Sequence, residues 1–354
     1  LGWIAEDDTP KENELAENKN AKRIGMVASR DFNHVQVVGE RILKSSKGNH
    51  ILGELYFYCH MPDVIADLFP TVHSVSFLPE TTTYSFTMQK LGGTTYAHFL
   101  SGRLLTHGRL RALLSAVRRI HDSPPSSTCT VEMHPTLRQI FDDRALTDSR
   151  EANIYENYTN KLEKRYNQYR SDYDALGETS TSRLYSDLVA RLRSYEQGDR
   201  GCFAHVIHGD PVFSNALLNE TKRKVFLYDM RSQLGSTLTT AGDVTYDLAK
   251  LLQSLNGYDH VILADDEAVS AASQMDDPLK ALVPREDRMI LQQLQEEVYW
   301  PFVTDEYPEV RRQDIVDIMA SLLFSLIPLH TELRRGVFLK MCENVVEKGS
   351  ACPL

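Results

Sequence analysis

Residues 205–218 read HVIHGDPVFSNALL, and residues 225–235 read VFLYDMRSQLG. Each stretch sets polar side chains at the end of an apolar run: His208, Asp210 and Asn215 in the first, Asp229 in the second. Asp and Asn are poor core residues, so these groups belong either to ordinary turns or to a site. Two short strands joined by a turn would bring Asp229 beside Asn215. Two carboxylates and an amide carbonyl around one small polar volume suit Mg²⁺, a hard cation that takes oxygen ligands and keeps several waters. A carboxylate left over to accept a proton from an attacking hydroxyl completes the parts that phosphoryl transfer needs. A single His beside a strand is often a satisfied core residue. Asp210, Asn215 and Asp229 together, at these offsets, are harder to read as unrelated turn groups.

The flanking chain divides into two characters. Residues 1–21 are polar and charged after Trp3 and read as a linker or the tail of an upstream domain. Alternating segments near 24–28 and 35–44, separated by SRDFN, predict a hairpin. Leu52, Leu55, Tyr56, Tyr58 and Cys59 recur at a helical period that Pro62 stops, and HSVSFLPETTTYSFTMQKL predicts a second hairpin around PETT. From LGG at 91–93 the pattern turns helical, with long charged amphipathic runs in 154–176 and 183–197. FAHVIH and KVFLYDM read as strands flanking the polar loop, and after 242 the chain is helical to its end. The expectation is an α+β fold of two lobes: a small β-rich N-lobe over 22–91 and a large, mainly helical C-lobe over 92–354, which carries the polar loop; the resemblance set out below implies that the first binds nucleotide and the second the acceptor.

The totals agree with two lobes, since 354 residues exceed a typical single core. Thirty-nine Lys and Arg against 49 Asp and Glu give a formal net charge of −10. That balance argues against a nucleic-acid surface, which needs cations in excess, but leaves room for a local basic pocket. The five cysteines, Cys59, Cys129, Cys202, Cys342 and Cys352, are scattered and odd in number, so neither a zinc site nor a disulfide framework is expected, and a reducing, cytoplasmic setting is. The longest apolar stretch, 318–329, falls short of the roughly 20 residues of a membrane span and reads as a buried helix ending at Pro328.

HGDPVFSN resembles the H-G-D-x-x-x-x-N loop of the aminoglycoside phosphotransferase and choline kinase superfamily, small-molecule relatives of protein kinases. YDMR resembles that family's strand bearing the metal-binding Asp, and GDVTYDLAKL at 242–251 resembles its G-D-x-x-Y-D-L-A-K helix start. The resemblance covers about residue 22 to the end and implies a protein-kinase-like fold, ATP and Mg²⁺ as cofactors, and a small hydroxylated acceptor such as a sugar or choline. It makes Asp210 the catalytic base, Asn215 and Asp229 the metal ligands, and His208 a brace for the loop. Asp243 or Asp247 would cap the following helix and tie it to the loop. A protein kinase is disfavoured, because H-R-D and A-P-E are absent and GDVTYDLA follows too soon for an activation loop. A kinase-like module without catalysis is the alternative.

The same template asks for a strand Lys on the phosphates, paired with a helix Glu. Lys44 in RILKSS and Glu54 in HILGELYFY fill those places, Lys47 being the competing choice. TMQKLGG would be the hinge, with backbone groups of Gln89 to Leu91 meeting adenine. No G-x-G-x-x-G is present, so Ser29, Arg30 and Asn33 would contact the phosphates through side chains. Arg231, next to the metal Asp, could reach acceptor or phosphate, and the tyrosines and cations of 155–170 offer either an aromatic cage or an anion site. ASRDFN, ILKSS, GELYFY and DMR together resemble kinase-type modules of bacterial surface (capsular) polysaccharide biosynthesis. Such modules are often fused behind a nucleotidyltransferase-like domain, which the leading LGWIAEDD would fit.

Overall fold

The computed structural model describes residues 33–125, 131–275 and 277–348. The N-terminal lobe is one antiparallel sheet of β1 (Asn33–Val38), β2 (Arg41–Lys47), β3 (Val72–Leu78) and β4 (Thr83–Gln89), in the order β1-β2-β4-β3. Helix α1 (Leu52–His60) lies against it. In β4 the side chains alternate, Tyr84, Phe86 and Met88 inward, and β2 turns Lys44 and Ser46 to the same inner side. Every residue of α1 from Leu52 to Cys59 is buried, because the sheet covers one side and the second lobe the other; a Cβ on Gly53 would stand 3.3 Å from the Ser232 amide nitrogen.

The first hairpin differs from the expected one. The segment 35–44 is not a single strand: a two-residue turn at Gly39 and Glu40 splits it into β1 and β2, with Val38 opposite Arg41. Gly39 adopts φ +61°, which a residue without Cβ reaches at little cost. The segment 24–28, with Ser29 and Arg30, lies outside the described residues.

Past Gln89 the chain crosses to the helical lobe. Gly93 sits at φ +146°, where a Cβ would come within 2.5 Å of the Leu218 carbonyl oxygen. The contact is close because β5 (Thr94–Thr95) pairs with β7 (Ala216–Asn219), the strand that leaves the polar loop. Then come α2 (Tyr96–Ser101), α3 (His107–His121), α4 (Pro135–Arg144), α5 (Thr159–Gln168), α6 (Arg170–Asp174) and α7 (Glu178–Gln197). FAHVIH forms only a two-residue strand, β6 (Phe203–Ala204), so the run expected there is mostly extended coil. β7 pairs with β8 (Lys224–Leu227), and β9 (Gln233–Leu234) with β10 (Thr237–Leu238); β11 (Gly242–Asp243) returns to β6.

The remainder is helical: α8 (Val244–Leu255), α9 (Tyr258–Leu263), α10 (Asp266–Ser273), α11 (Pro278–Leu282), α12 (Arg285–Leu294), α13 (Trp300–Glu306), α14 (Arg312–Leu326) and α15 (Glu332–Lys348). The apolar run 318–329 is the buried second half of α14 and the turn after it; α14 packs against α7, α8 and α15 and is apolar nearly all round for that reason. Among the described residues no helix is long and apolar enough to cross a membrane.

Candidate active site

The polar loop between β6 and β7 is held from below by one carboxylate. Both oxygens of Asp247, fully buried on the first turn of α8, accept backbone amides, His208 N–H and Gly209 N–H each at 2.7 Å. His121 Nε2–H adds a third bond to Asp247 at 3.1 Å, which leaves its Nδ1 to accept the Tyr307 hydroxyl at 2.8 Å. Asp243 has the other job. It caps α8 by accepting from Thr245 N–H, and it also takes Cys202 N–H and the hydroxyls of Tyr158 and Tyr195.

His208 is wholly buried; its Nδ1 accepts the Asp210 amide at 3.2 Å, and its carbonyl accepts Arg231 N–H at 2.9 Å. Burial pushes the imidazole below its ordinary value, so it stays neutral. Gly209 adopts φ +78°, and a Cβ there would stand 2.8 Å from the Arg231 carbonyl. This close approach joins the loop to the segment carrying Asp229.

That segment arrives through the β7–β8 hairpin. Ala216 opposes Leu227, so Asn215 and Asp229 emerge from the same end. Asn215 donates from Nδ2 to the Asp210 carbonyl at 3.0 Å, which leaves its amide oxygen as the donor a cation would use. Asp229 itself sits at φ +63°, an unusual conformation for a residue with a Cβ and one that recurs at functional sites.

From the other lobe, Lys44 reaches across. Its Nζ lies 2.5 Å from Glu54 Oε2 and 2.7 Å from Asp229 Oδ1, on the fourth of seven residues of β2, mid-strand rather than at its end. Burial works against the ammonium, but Asp229 and Glu54 outweigh it and hold Lys44 above its ordinary value. Burial likewise leaves Glu54 above the usual carboxylate range in spite of Lys44. Lys47, the competing lysine, is exposed at the strand end.

Arg231 bridges the two carboxylates, 2.9 Å from Asp229 Oδ2 and 3.7 Å from Asp210 Oδ2; the Asp229 charge holds its guanidinium further above its ordinary value. A residue the sequence reading did not assign completes the set: Lys250 Nζ stands 3.1 Å from Asp210 Oδ1. The signal was present. Lys250 follows Asp247 by three residues in a helix, so a face that holds the loop through Asp247 also presents Lys250 to it.

At the hinge, Gln89 N–H donates to Thr71 O at 2.8 Å and Lys90 N–H to Glu40 O at 3.1 Å. Asn33 begins β1, and its side chain, like Ser29 and Arg30, lies outside what the structure describes.

In front of Asp210 opens a cavity of about 280 Å³ lined by residues of both lobes, among them Glu54, Asp210, Arg231, Lys250, Lys161 and Arg165. Among the described residues no cluster of three or more His, Cys, Asp or Glu forms a ready-made metal cage. One carboxylate and one amide oxygen, Asp229 and Asn215, fit a cation that completes its shell with phosphate oxygens and water, as Mg²⁺ does.

No family model matches the chain, and no curated protein sequence matches it. Among the solved structures to which the chain is similar are aminoglycoside phosphotransferases. A thermostable mutant of APH(4)-Ia in its apo form is 11% identical, with 95% of this chain and 98% of that one aligned at a TM-score of 0.49. The APH(3'')-Id enzyme from Streptomyces rimosus, in complex with ADP and streptomycin, is 17% identical over 89% of this chain and 97% of that one, TM-score 0.45. A putative aminoglycoside phosphotransferase from Ralstonia eutropha is 11% identical over 95% and 98%, TM-score 0.42. In architecture the chain is a two-lobed α+β protein, a four-stranded antiparallel sheet with one helix followed by a mainly helical lobe.

Proposed function

We infer that the chain is a phosphotransferase that moves the γ-phosphate of ATP to a hydroxyl of a small molecule. The observation that carries this reading is the contact across the lobes. Lys44 touches Glu54 and Asp229 at once, and Glu54 and Asp210 line one cavity. Phosphoryl transfer asks a protein chiefly to position groups and neutralise charge, and these residues are arranged to do both.

Lys44, oriented by Glu54, meets the ATP phosphates; the backbone of Gln89 to Leu91 meets adenine, the amides of Gln89 and Lys90 being bonded to Thr71 and Glu40. Ser29 and Arg30, outside the described residues, would contact the phosphates through their side chains. Asp229 and the Asn215 amide oxygen would hold Mg²⁺, which when bound offsets charge on the phosphate oxygens. Asp210 accepts the proton of the acceptor hydroxyl, its carboxylate fixed by Lys250 and Arg231. His208, kept neutral by burial, fixes the Asp210 amide and the Arg231 backbone instead of exchanging protons. In this reading residues 22–91 would serve as the nucleotide-binding lobe and 92–354 as the lobe carrying loop and acceptor. The strings shared with surface-polysaccharide modules make a sugar derivative the acceptor to try first.

The test is ADP release from the full chain with ATP, Mg²⁺ and a panel of sugars, sugar derivatives and amino alcohols. Turnover with at least one acceptor is expected, with Asp210→Ala lowering kcat by about 10²–10⁴-fold as for loss of a general base. Asp229→Ala should lower the rate and abolish its metal dependence together. No turnover, combined with no Mg²⁺-dependent thermal shift by ATP, would overturn the reading.

A further inference from the structure

The cavity lining carries an excess of cations in a protein whose net charge is −10. Four cations line the cavity, Lys161, Arg165, Arg231 and Lys250, against three acids, Glu54, Asp210 and Asp243. The acids are committed. Glu54 holds Lys44, Asp210 faces Lys250, and Asp243 accepts two tyrosine hydroxyls and two backbone amides.

Lys161 and Arg165 differ from the other two cations in place. One helical turn apart, they share the face of α5 that looks into the cavity. Lys161 donates to the Tyr246 hydroxyl at 3.0 Å, and Arg165 to the Ser325 carbonyl at 3.0 Å. Leu322 and Leu326, one turn apart on α14, add an apolar stretch to the lining beside Ser325. A slot with Asp210 at one end and an ammonium and a guanidinium along one side fits a ligand that brings a hydroxyl to Asp210 and an anion to α5.

Cationic acceptors fit it poorly. Of the tyrosines in 155–170 none lines the cavity, and Tyr158 and Tyr166 are buried in the helical core. The one tyrosine that does line it, Tyr246, already has Lys161 over its ring at 5.5 Å. A quaternary ammonium or a polyamine sugar would meet like charge at Lys161 and Arg165.

We propose that the acceptor carries an anionic group, a phosphomonoester or a carboxylate, and that Lys161 and Arg165 bind that group while the hydroxyl is presented to Asp210. The proposal rests on the phosphotransferase reading for the hydroxyl's role but not for the anion's. It is therefore tested by binding, without ATP. The full chain is titrated calorimetrically with a hexose 6-phosphate, a hexuronate, the uncharged hexose and the aminosugar kanamycin, in low and in 0.5 M salt. At least one anion should bind tenfold or more tighter than the uncharged hexose, the aminosugar should be weakest, and salt should erase the preference. Whichever anion leads identifies phosphate or carboxylate. Lys161→Gln and Arg165→Gln should each remove most of the preference; the more conservative Arg165→Lys, which keeps the charge while giving up the guanidinium's bond to Ser325, should retain a large part of it. Equal or tighter binding of the uncharged sugar or of kanamycin overturns the proposal, as does an anion preference untouched in both Gln variants. An anion preference as described without ADP release from any acceptor would leave the anion site standing and sink the transfer reading instead.

Discussion

Beneath the catalytic loop lies a carboxyl group with an unusual situation. Asp259, on α9, is buried, and neither of its oxygens closes a hydrogen bond; the neighbouring Ser254 hydroxyl instead accepts Phe213 N–H, at 2.9 Å. Burial pushes Asp259 up to about 7, and the nearby Ser254 hydroxyl and Ser214 amide, which act the other way, do not offset it. The folded protein therefore holds this proton more tightly than the unfolded chain, whose Asp titrates near 3.9. Its contribution to stability is complete below about pH 3.9 and drains away as pH rises to about 7. At ~1.4 kcal/mol per pKa unit the loss is on the order of 4 kcal/mol. Asp259→Asn should accordingly be more stable than the parent in urea at pH 8, with the gap narrowing at pH 5. Parallel stabilities at the two pH values would show that Asp259 does not titrate in this range.

The loop as an element is shaped by Gly209 and by the carboxylate of Asp247 beneath it. Gly209→Ala asks an L-residue to hold φ +78° while its Cβ presses on the Arg231 carbonyl 2.8 Å away. The conformational part costs about 1–2 kcal/mol. The displacement matters more, since Asp210 and Asp229 are joined through that contact, and a shift of about 1 Å at a reacting group is worth on the order of 10²-fold in rate. The variant should stay folded by circular dichroism while kcat falls about 10²-fold and the acceptor Kd changes little.

What was legible in the sequence follows from the range of the interactions. Asp210, Asn215 and Asp229 could be read because the β7–β8 hairpin joins them locally, and Lys44 and Glu54 because they are ten residues apart on adjoining elements. The turn at Gly39 was missed: a two-residue connection is the shortest there is, and one glycine in an apolar run is weak punctuation. Of 155–170, Tyr158 and Tyr166 went to the core and Lys161 and Arg165 to the cavity. That sorting depends on α8 and α14, far along the chain, and no local pattern encodes it.

At the scale of the whole molecule, the Lys44 ammonium is a buried tie between the lobes. Lys44 is nearly buried between Glu54 and Asp229, and removing it leaves a buried carboxylate unpaired. Lys44→Met alone should destabilise the protein by up to about 3–5 kcal/mol, the range for breaking a buried pair. Lys44→Met combined with Glu54→Gln should recover part of that stability, because the unpaired charge is gone, yet recover none of the activity. Thermal melts and ADP release on the two variants separate the structural share of this contact from the functional one. Full recovery of both would assign Lys44 a packing role only.

The crossing between the lobes has a consequence for how this sequence can drift. Position 93 is a linker by location, but the space for its side chain is filled by the backbone of Leu218, on the strand that leaves the catalytic loop. A mutation there to any residue larger than glycine would have to push that strand away. The descendants open to this chain are thus narrowed at a site that touches no substrate: a change in the connector would be felt, and selected, as a change in the active centre.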